Sequence, residues 1–331
     1  MLKPAYKLTI GNNIIDTTDE PQTSTVVDLN VALDMDTPAD SFTLVLGQMN
    51  GLKPERDDEA VIELGYADNS GLTQVMAGTV VTVESGLTMS GVIGYSAAQT
   101  LLCTFVDQTY ESKTAGQIVR DLADQASVDV ATAEGGINFP AYVIDSHRSV
   151  YHHMRDLADL CGFDLYVDAD GELVFEKFVS GKTVHVFEYT KHILELDVLQ
   201  APQRAALIEA WGESPTGSQG EEAWAWLTKD FSGSKGSAGS DEPKLLLDWP
   251  ALRTADAAQA AAEAAHTNIQ RRTLRGRLLT IGQPQVKLGD AICLRDVPDD
   301  ALNKTFQVRS VTHRITKIEG FTTAIEFRSI S

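Results

Sequence analysis

Cysteine is scarce and scattered. The 331 residues hold three, Cys103, Cys161 and Cys293, an odd number with no CxxC spacing. This excludes a disulfide framework and a cysteine-based zinc site, and predicts a reduced environment. Cations are also few, 27 Lys and Arg against 47 Asp and Glu, for a formal net charge of −20. Each phosphate contact needs a cation, so this balance argues against sequence-independent binding to nucleic acid or anionic lipid. No apolar stretch approaches the roughly 18 residues that cross a bilayer, and no apolar run follows the two lysines near the start. A signal peptide and a membrane anchor are therefore not expected, and the chain is expected to be made in the cytoplasm.

Catalytic signatures are missing as well. There is no HExxH, no GxSxG, no Walker lysine and no GxGxxG borne on a strand. His152 and His153 are adjacent and point about 100° apart on a helix, so they cannot grip one ion as an i, i+4 pair would. Asp168-Ala169-Asp170-Gly171-Glu172 resembles a calcium loop but lacks the later acidic positions; a hairpin turn is the better reading. With 47 acidic residues, carboxylate pairs occur by chance and carry no signal for glycoside hydrolysis. No catalytic residue, cofactor or metal is predicted.

What is present is patterned. At roughly 100 to 200 residues per domain, the length predicts two or three domains, and 43% hydrophobic residues can fill several cores. Val27, Leu29, Val31, Leu33 and Met35 alternate with polar or small residues, a half-buried strand. Segments 42–46, 60–66, 74–84 and 87–95 continue this, with turn signals at Thr37-Pro38, Asn50-Gly51, 68–71 and Ser85-Gly86. Strands in succession without a helix predict a sandwich or barrel over residues 1–105.

The period then changes. Ala115, Ile118, Val119, Leu122, Ala123 and Ala126 line a helix behind a Thr114 cap. Val150, Met154, Leu157, Ala158 and Cys161 line a second, with Ser149 as its cap and Gly162 as its stop. A hairpin follows from Phe163 to Phe175, so residues 106–198 read as a small α/β domain. Residues 199–215 and 275–331 read as strands of one further unit around an insertion, 216–274. That insertion contains Gly/Ser-rich stretches expected to be mobile and an alanine-dominated helix behind a Thr254 cap, expected to lie against something close.

Two features could mark contact surfaces. Trp224 and Trp226, spaced by two, could stack on a sugar or fill a partner's pocket, or could form a short strand with both rings packed inside. The run Arg271, Arg272, Arg275 and Arg277 ends the alanine-rich helix, where its charge suits the macrodipole; an acidic neighbouring subunit is its expected target. It belongs to a charge asymmetry: residues 271–331 carry 11 cations and 6 acids, the first 270 residues 16 and 41.

The order of elements resembles a known family. After an all-β start come Tyr110 to Ala123 (Tyr-Glu-Ser-Lys-Thr-Ala-Gly-Gln-Ile-Val-Arg-Asp-Leu-Ala) and Arg148-Ser149-Val150-Tyr151 through Leu157-Ala158-Asp159-Leu160-Cys161-Gly162-Phe163. The hairpin carries Tyr166-Val167-Asp168 and Gly171-Glu172-Leu173-Val174-Phe175, and Gly282-Gln283-Pro284, Leu288-Gly289-Asp290 and Phe306 to His313 follow. Together they are similar to the baseplate hub proteins of contractile tails, the late-control protein D family, related to the T4-type hub and the N-terminal part of VgrG spike proteins.

The resemblance implies a mainly β (α+β) fold with two tube-type antiparallel β-barrels flanking a small α/β domain. It implies a homotrimer whose six barrels adapt a sixfold tail tube to a threefold central spike, forming part of the channel in a phage tail or injection particle. The implied partners are the tail tube (initiator) protein, the central spike protein, other baseplate proteins and the tape measure. The chain ends after its second barrel, so spike and lysozyme functions are expected on other polypeptides. In this reading the acidic excess lines the channel and the basic end meets an acidic neighbour, with Arg271, Arg272, Arg275, Trp224 and Trp226 as subunit-interface candidates. The rival reading is a carbohydrate-active enzyme or glycan-binding module using the two tryptophans and nearby acids. A hub of a non-contractile tail is the minor alternative.

Overall fold

The computed structural model describes residues 3–19, 25–47, 53–67, 71–212 and 235–330. The fold is mainly β. The N-terminal strands are β1 (Pro4–Ile10), β2 (Asn13–Asp16), β3 (Val26–Asp34), β4 (Ser41–Gly47), β5 (Glu59–Tyr66), β6 (Gly71–Ser85) and β7 (Met89–Tyr95). All their pairings are antiparallel, and those of β1–β2, β3–β4, β5–β6 and β6–β7 follow from short connections. The alternation of β3 holds at Leu29, Val31, Leu33 and Met35, which are buried, but Val26 is buried and Val27 is not. A register shift between Val26 and Asp28 opposite β4 explains this, because one extra residue flips the phase of the strand before it.

The α/β unit begins with α1 (Ala98–Cys103), β8 (Gln108–Thr114), α2 (Ala115–Gln125), β9 (Val130–Ala133) and β10 (Asn138–Ile144). It continues through α3 (Val150–Cys161), β11 (Asp164–Val167) and β12 (Leu173–Glu176). Thr114 caps α2 in a reciprocal box with Gln117. Ser149 occupies the cap position of α3, yet its hydroxyl lies 2.8 Å from His152 Nδ1 and caps no backbone N–H. Gly162 ends α3 in the left-handed conformation, φ 68°. The Asp168 carboxylate accepts from the Asp170 and Glu172 N–H groups at 2.9 and 3.0 Å, so it builds the β11–β12 turn.

Beyond the hairpin the structure departs from the sequence boundaries. β13 (Val184–Glu188) and β14 (Ile193–Gln200), expected within the α/β unit up to 198, pair instead with β19 (Ala291–Arg295) and β18 (Leu274–Ile281). Conversely β15 (Leu207–Trp211), expected in the second barrel, forms a small sheet with β16 (Gly236–Gly239) and β17 (Lys244–Asp248). Ile208 and Ala210 of β15 share the α/β core with Ala257, Ala258, Ala261 and Ala262 of α4 (Ala255–Arg271). The reason is steric. An alanine helix can come close to a sheet, and α4 comes so close that a Cβ on Gly236 would fall 2.2 Å from the Ala258 backbone. Part of the Gly/Ser stretch expected to be mobile is thus the strand β16.

With β20 (Thr305–Thr316) and β21 (Gly320–Ser329), the N-terminal and C-terminal strands join in one 13-stranded sheet. The seam is β3 against β20, antiparallel, pairing Leu29 with Ile315, Val31 with His313 and Leu33 with Val311. Both halves fill one core, in which Phe42, Leu44 and Ile62 join Phe306, Ile325 and Phe327. His313 is buried at the seam, its Nδ1 3.0 Å from Thr323 Oγ1. Burial pulls its pKa down to about 3, so it is a neutral packing residue.

Asp40, between β3 and β4, is the buried acid of the N-terminal unit. It accepts the Asp34 N–H at 2.7 Å, and burial lifts its pKa to about 7. A folded-state value above the unfolded one favours the fold at low pH, and that contribution is lost as pH rises from about 4 through 7. Asp40→Asn should therefore stabilise the protein by roughly 4 kcal/mol at pH 8 and change little at pH 4, read from urea unfolding at both values. An equal effect at the two pH values would refute the buried-acid assignment.

Candidate interface: an arginine-lined cleft

Where α3, the end of α4 and strands β14, β18, β20 and β21 meet, a cleft of about 670 Å³ opens to solvent. Six arginines line it: Arg155 from α3, Arg272 after α4, Arg275 and Arg277 from β18, Arg309 from β20 and Arg328 from β21. Only three acids, Asp36, Asp197 and Glu326, stand with them. A local excess of cations sets this surface against the net charge of −20 of the whole chain.

The floor of the cleft is a buried ionic network. Asp164, the first residue of β11, accepts from Arg309 Nη1 at 2.6 Å and lies 3.4 Å from Arg328 Nη2. Its other oxygen accepts from the Gln307 amide, and Gln307 in turn accepts from Arg328 Nε at 3.0 Å. Arg309 Nη2 reaches out to Asp36 at 2.7 Å. Arg155 donates to the Met35 carbonyl at 2.8 Å and lies 3.5 Å from both Asp36 and Asp159. Side-chain exposure is 6% for Arg309, 9% for Arg328 and 7% for Asp164, so their charges meet little water.

The titration behaviour follows. Burial alone would lower Arg309, but Asp164 and Asp36 outweigh it and hold the guanidinium above its ordinary value. Burial alone would raise Asp36; Arg309 outweighs it and holds the carboxyl below the usual range. Arg328 has less compensation, and burial followed by Arg309 pushes it down to about 9, still cationic at neutral pH.

The rim comes from β18. Arg275 and Arg277 share its outward face, while Leu278 and Thr280 point inward. Gly276 between them is required by close approach, since a Cβ there would lie 2.5 Å from the Phe327 ring and 2.6 Å from the Asp197 carbonyl oxygen. Arg277 stands in register between Asp197 and Glu326, whereas Arg275 stands between Leu199 and Arg328, a like-charged neighbour. Among the described residues, Arg272, Arg275 and Arg277 make no ion pair.

The basic run therefore divides. Arg272 and Arg275, expected at an interface, are exposed at the cleft. Arg271 is not available for one: it is buried, its Nε donates to the Ile330 carbonyl at 3.0 Å, and its guanidinium lies 5.8 Å from the Phe178 ring centre. It is the last residue of α4, where the helix turns its side chain under β21. Trp224 and Trp226 lie outside the described residues. Sequence reading missed Asp164, Arg309 and Arg328. Arg309 follows buried Val308 and Arg328 follows buried Phe327, positions that strand alternation assigns to the opposite and normally solvated face, so no local signal marked their burial.

Removing one partner of such a network leaves charge buried without compensation, typically a loss of about 3–5 kcal/mol. Asp164→Asn keeps the shape but removes the charge and turns one of the two acceptor oxygens into a donor. It should lower the unfolding free energy by that amount in denaturant titration; a change within about 0.5 kcal/mol would mean that water already screens the two guanidinium groups.

No family model and no curated protein matches the sequence. Solved structures do match. The chain is similar to the 43 kDa tail protein of prophage MuSo2 from Shewanella oneidensis, with a TM-score of 0.73 and 13% identity over 99% of this chain and 98% of that one. It is similar to a tail protein from Neisseria meningitidis MC58, TM-score 0.69 and 13% identity over 98% and 96%. It is also similar to an E. coli component of the type VI secretion system that itself resembles the T4 bacteriophage tail proteins gp27 and gp5. There the TM-score is 0.59 and the identity 12%, over 98% of this chain and 77% of the other. At such identities the fold is what is shared, and the chain has the mainly β fold of phage tail proteins along essentially its whole length.

Proposed function

We propose that this chain is a structural baseplate hub of a contractile tail or injection particle. The observation that carries the reading is the β3–β20 seam: it joins N-terminal and C-terminal strands as one continuous sheet in a chain whose whole length overlays on tail proteins, which supports two barrel units held side by side. Two laterally joined barrels per chain present six in a trimer, which matches a sixfold tube on one side while the chain itself repeats three times for a threefold spike. The partners are then the tail tube protein, the central spike protein and neighbouring baseplate and tape measure proteins, and the site of action is the assembled particle.

The role is structural. The cleft described above is lined chiefly by guanidinium groups, a composition suited to holding an anionic partner. The acidic excess of the first 270 residues serves the passage, where like charge keeps a polyanion from adhering, and the basic end serves attachment.

Two measurements test this. Light scattering on the purified chain should give about three times 35.9 kDa, and co-expressed tube and spike proteins should co-purify with it. A monomer that retains neither partner would overturn the proposal.

A further inference from the structure

The cleft is electrostatically incomplete. Arg271, Arg309 and Arg328 are buried, yet only one carboxylate, Asp164, is buried among them; Asp36, the second acid, has a half-exposed side chain. Burying a cation without a counter-charge is costly, and the network repays that cost only in part. At the mouth the imbalance grows, because Arg272 and Arg275 have no ion pair among the described residues and Arg275 is held in register beside Arg328. The opening between them is about 670 Å³, within the range of pockets that take a small ligand or a few side chains. Its floor is not uniformly polar: Leu199, 50% exposed, and Val198 line the same space.

We infer that this cleft binds a short, carboxylate-rich segment of a partner protein. Acidic side chains of that segment pair with Arg272 and Arg275, in the charge-assisted, forked geometry that guanidinium groups favour, and add negative charge beside Arg328, whose one carboxylate partner, Asp164 at 3.4 Å, is shared with Arg309. An apolar side chain between them covers Leu199. Nucleic acid is the poorer occupant. Its phosphates repeat beyond the length of the cleft and would meet the acidic remainder of the chain, whereas a peptide can place a few charges and then stop. The inference rests on the proposed role in assembly, for which it defines the chemistry of one attachment surface.

The probe is a fluorescein-labelled six-residue peptide of alternating glutamate and leucine, followed by fluorescence anisotropy on the full chain. Saturable binding is expected at about 0.05 M salt and should weaken strongly by about 0.5 M, where screening shortens the reach of each charge. The double variant Arg272→Glu, Arg275→Glu should weaken it at least tenfold. Both residues are exposed and neither makes an ion pair among the described residues; Arg272 acts on Asp159 only at longer range, so the thermal midpoint should fall by no more than a few degrees. Lys53→Glu with Arg56→Glu, the same change in net charge on an exposed loop elsewhere, should leave the affinity within twofold.

Absence of saturable binding at low salt, an equal loss in the control variant, or tighter binding of a single-stranded oligonucleotide of equal charge would each overturn the inference. The oligomeric state of the same samples separates this from the hub reading: a monomer that binds the peptide leaves the cleft standing and removes the trimer.

Discussion

The carboxylate of Asp164 is the point on which the three parts of this molecule converge. It belongs to β11 of the α/β unit, and its ligands are Gln307 and Arg309 of β20 and Arg328 of β21, which belong to the large sheet. Through Arg309 the network reaches Asp36, just past β3. Charges in an interior cost more than surface pairs return, so such a cluster persists only where its geometry is satisfied nearly completely. Sliding the α/β unit against the sheet would uncover two guanidinium groups and a carboxylate together. The network is thus a register mark as much as a source of stability.

The seam makes that mark necessary. β3 and β20 are separated by about 270 residues, and an intervening unit with its own core occupies most of the chain between them. Bringing the two strands together closes a long loop whose entropic cost grows only slowly with length. A shared apolar core beneath the seam, with Val31, Val311 and Ile325 fully buried, supplies the opposing term. The α/β unit then has to be oriented on a sheet that already exists, and the ionic cluster on one flank does this. The cleft above it is a by-product of the same arrangement: arginines collected to hold Asp164 and Asp36 leave positive potential facing out.

Local elements were legible because their signals are local. The capping box at Thr114, the left-handed Gly162 and the carboxylate turn at Asp168 depend on residues within four positions of one another. The alternation along β3 was legible except where a bulge reset it at Val26. Strand partners were not, since hydrophobic alternation says which face is buried but not what covers it. Thus β14 and β15 carry similar apolar patterns and go to different sheets. The basic run illustrates the same limit within a single motif. Arg271 and Arg272 are adjacent and chemically identical, and only the end of α4 decides that one is buried beneath β21 and the other faces the cleft.

The sequence by itself determined that this is a mainly β chain with a small α/β unit, acidic overall, basic at its end and without catalytic or metal motifs, because composition and short-range periodicity are sums over neighbours in the chain. The order of its elements carried the resemblance to tail hub proteins for the same reason. Only the tertiary structure decided that the N-terminal and C-terminal strands join in one sheet, that Asp164 anchors the α/β unit to it, and that two of the three flagged arginines face solvent at a common cleft. Those facts depend on residues far apart in sequence meeting in space, and long-range pairing is chosen by the packing of the whole core.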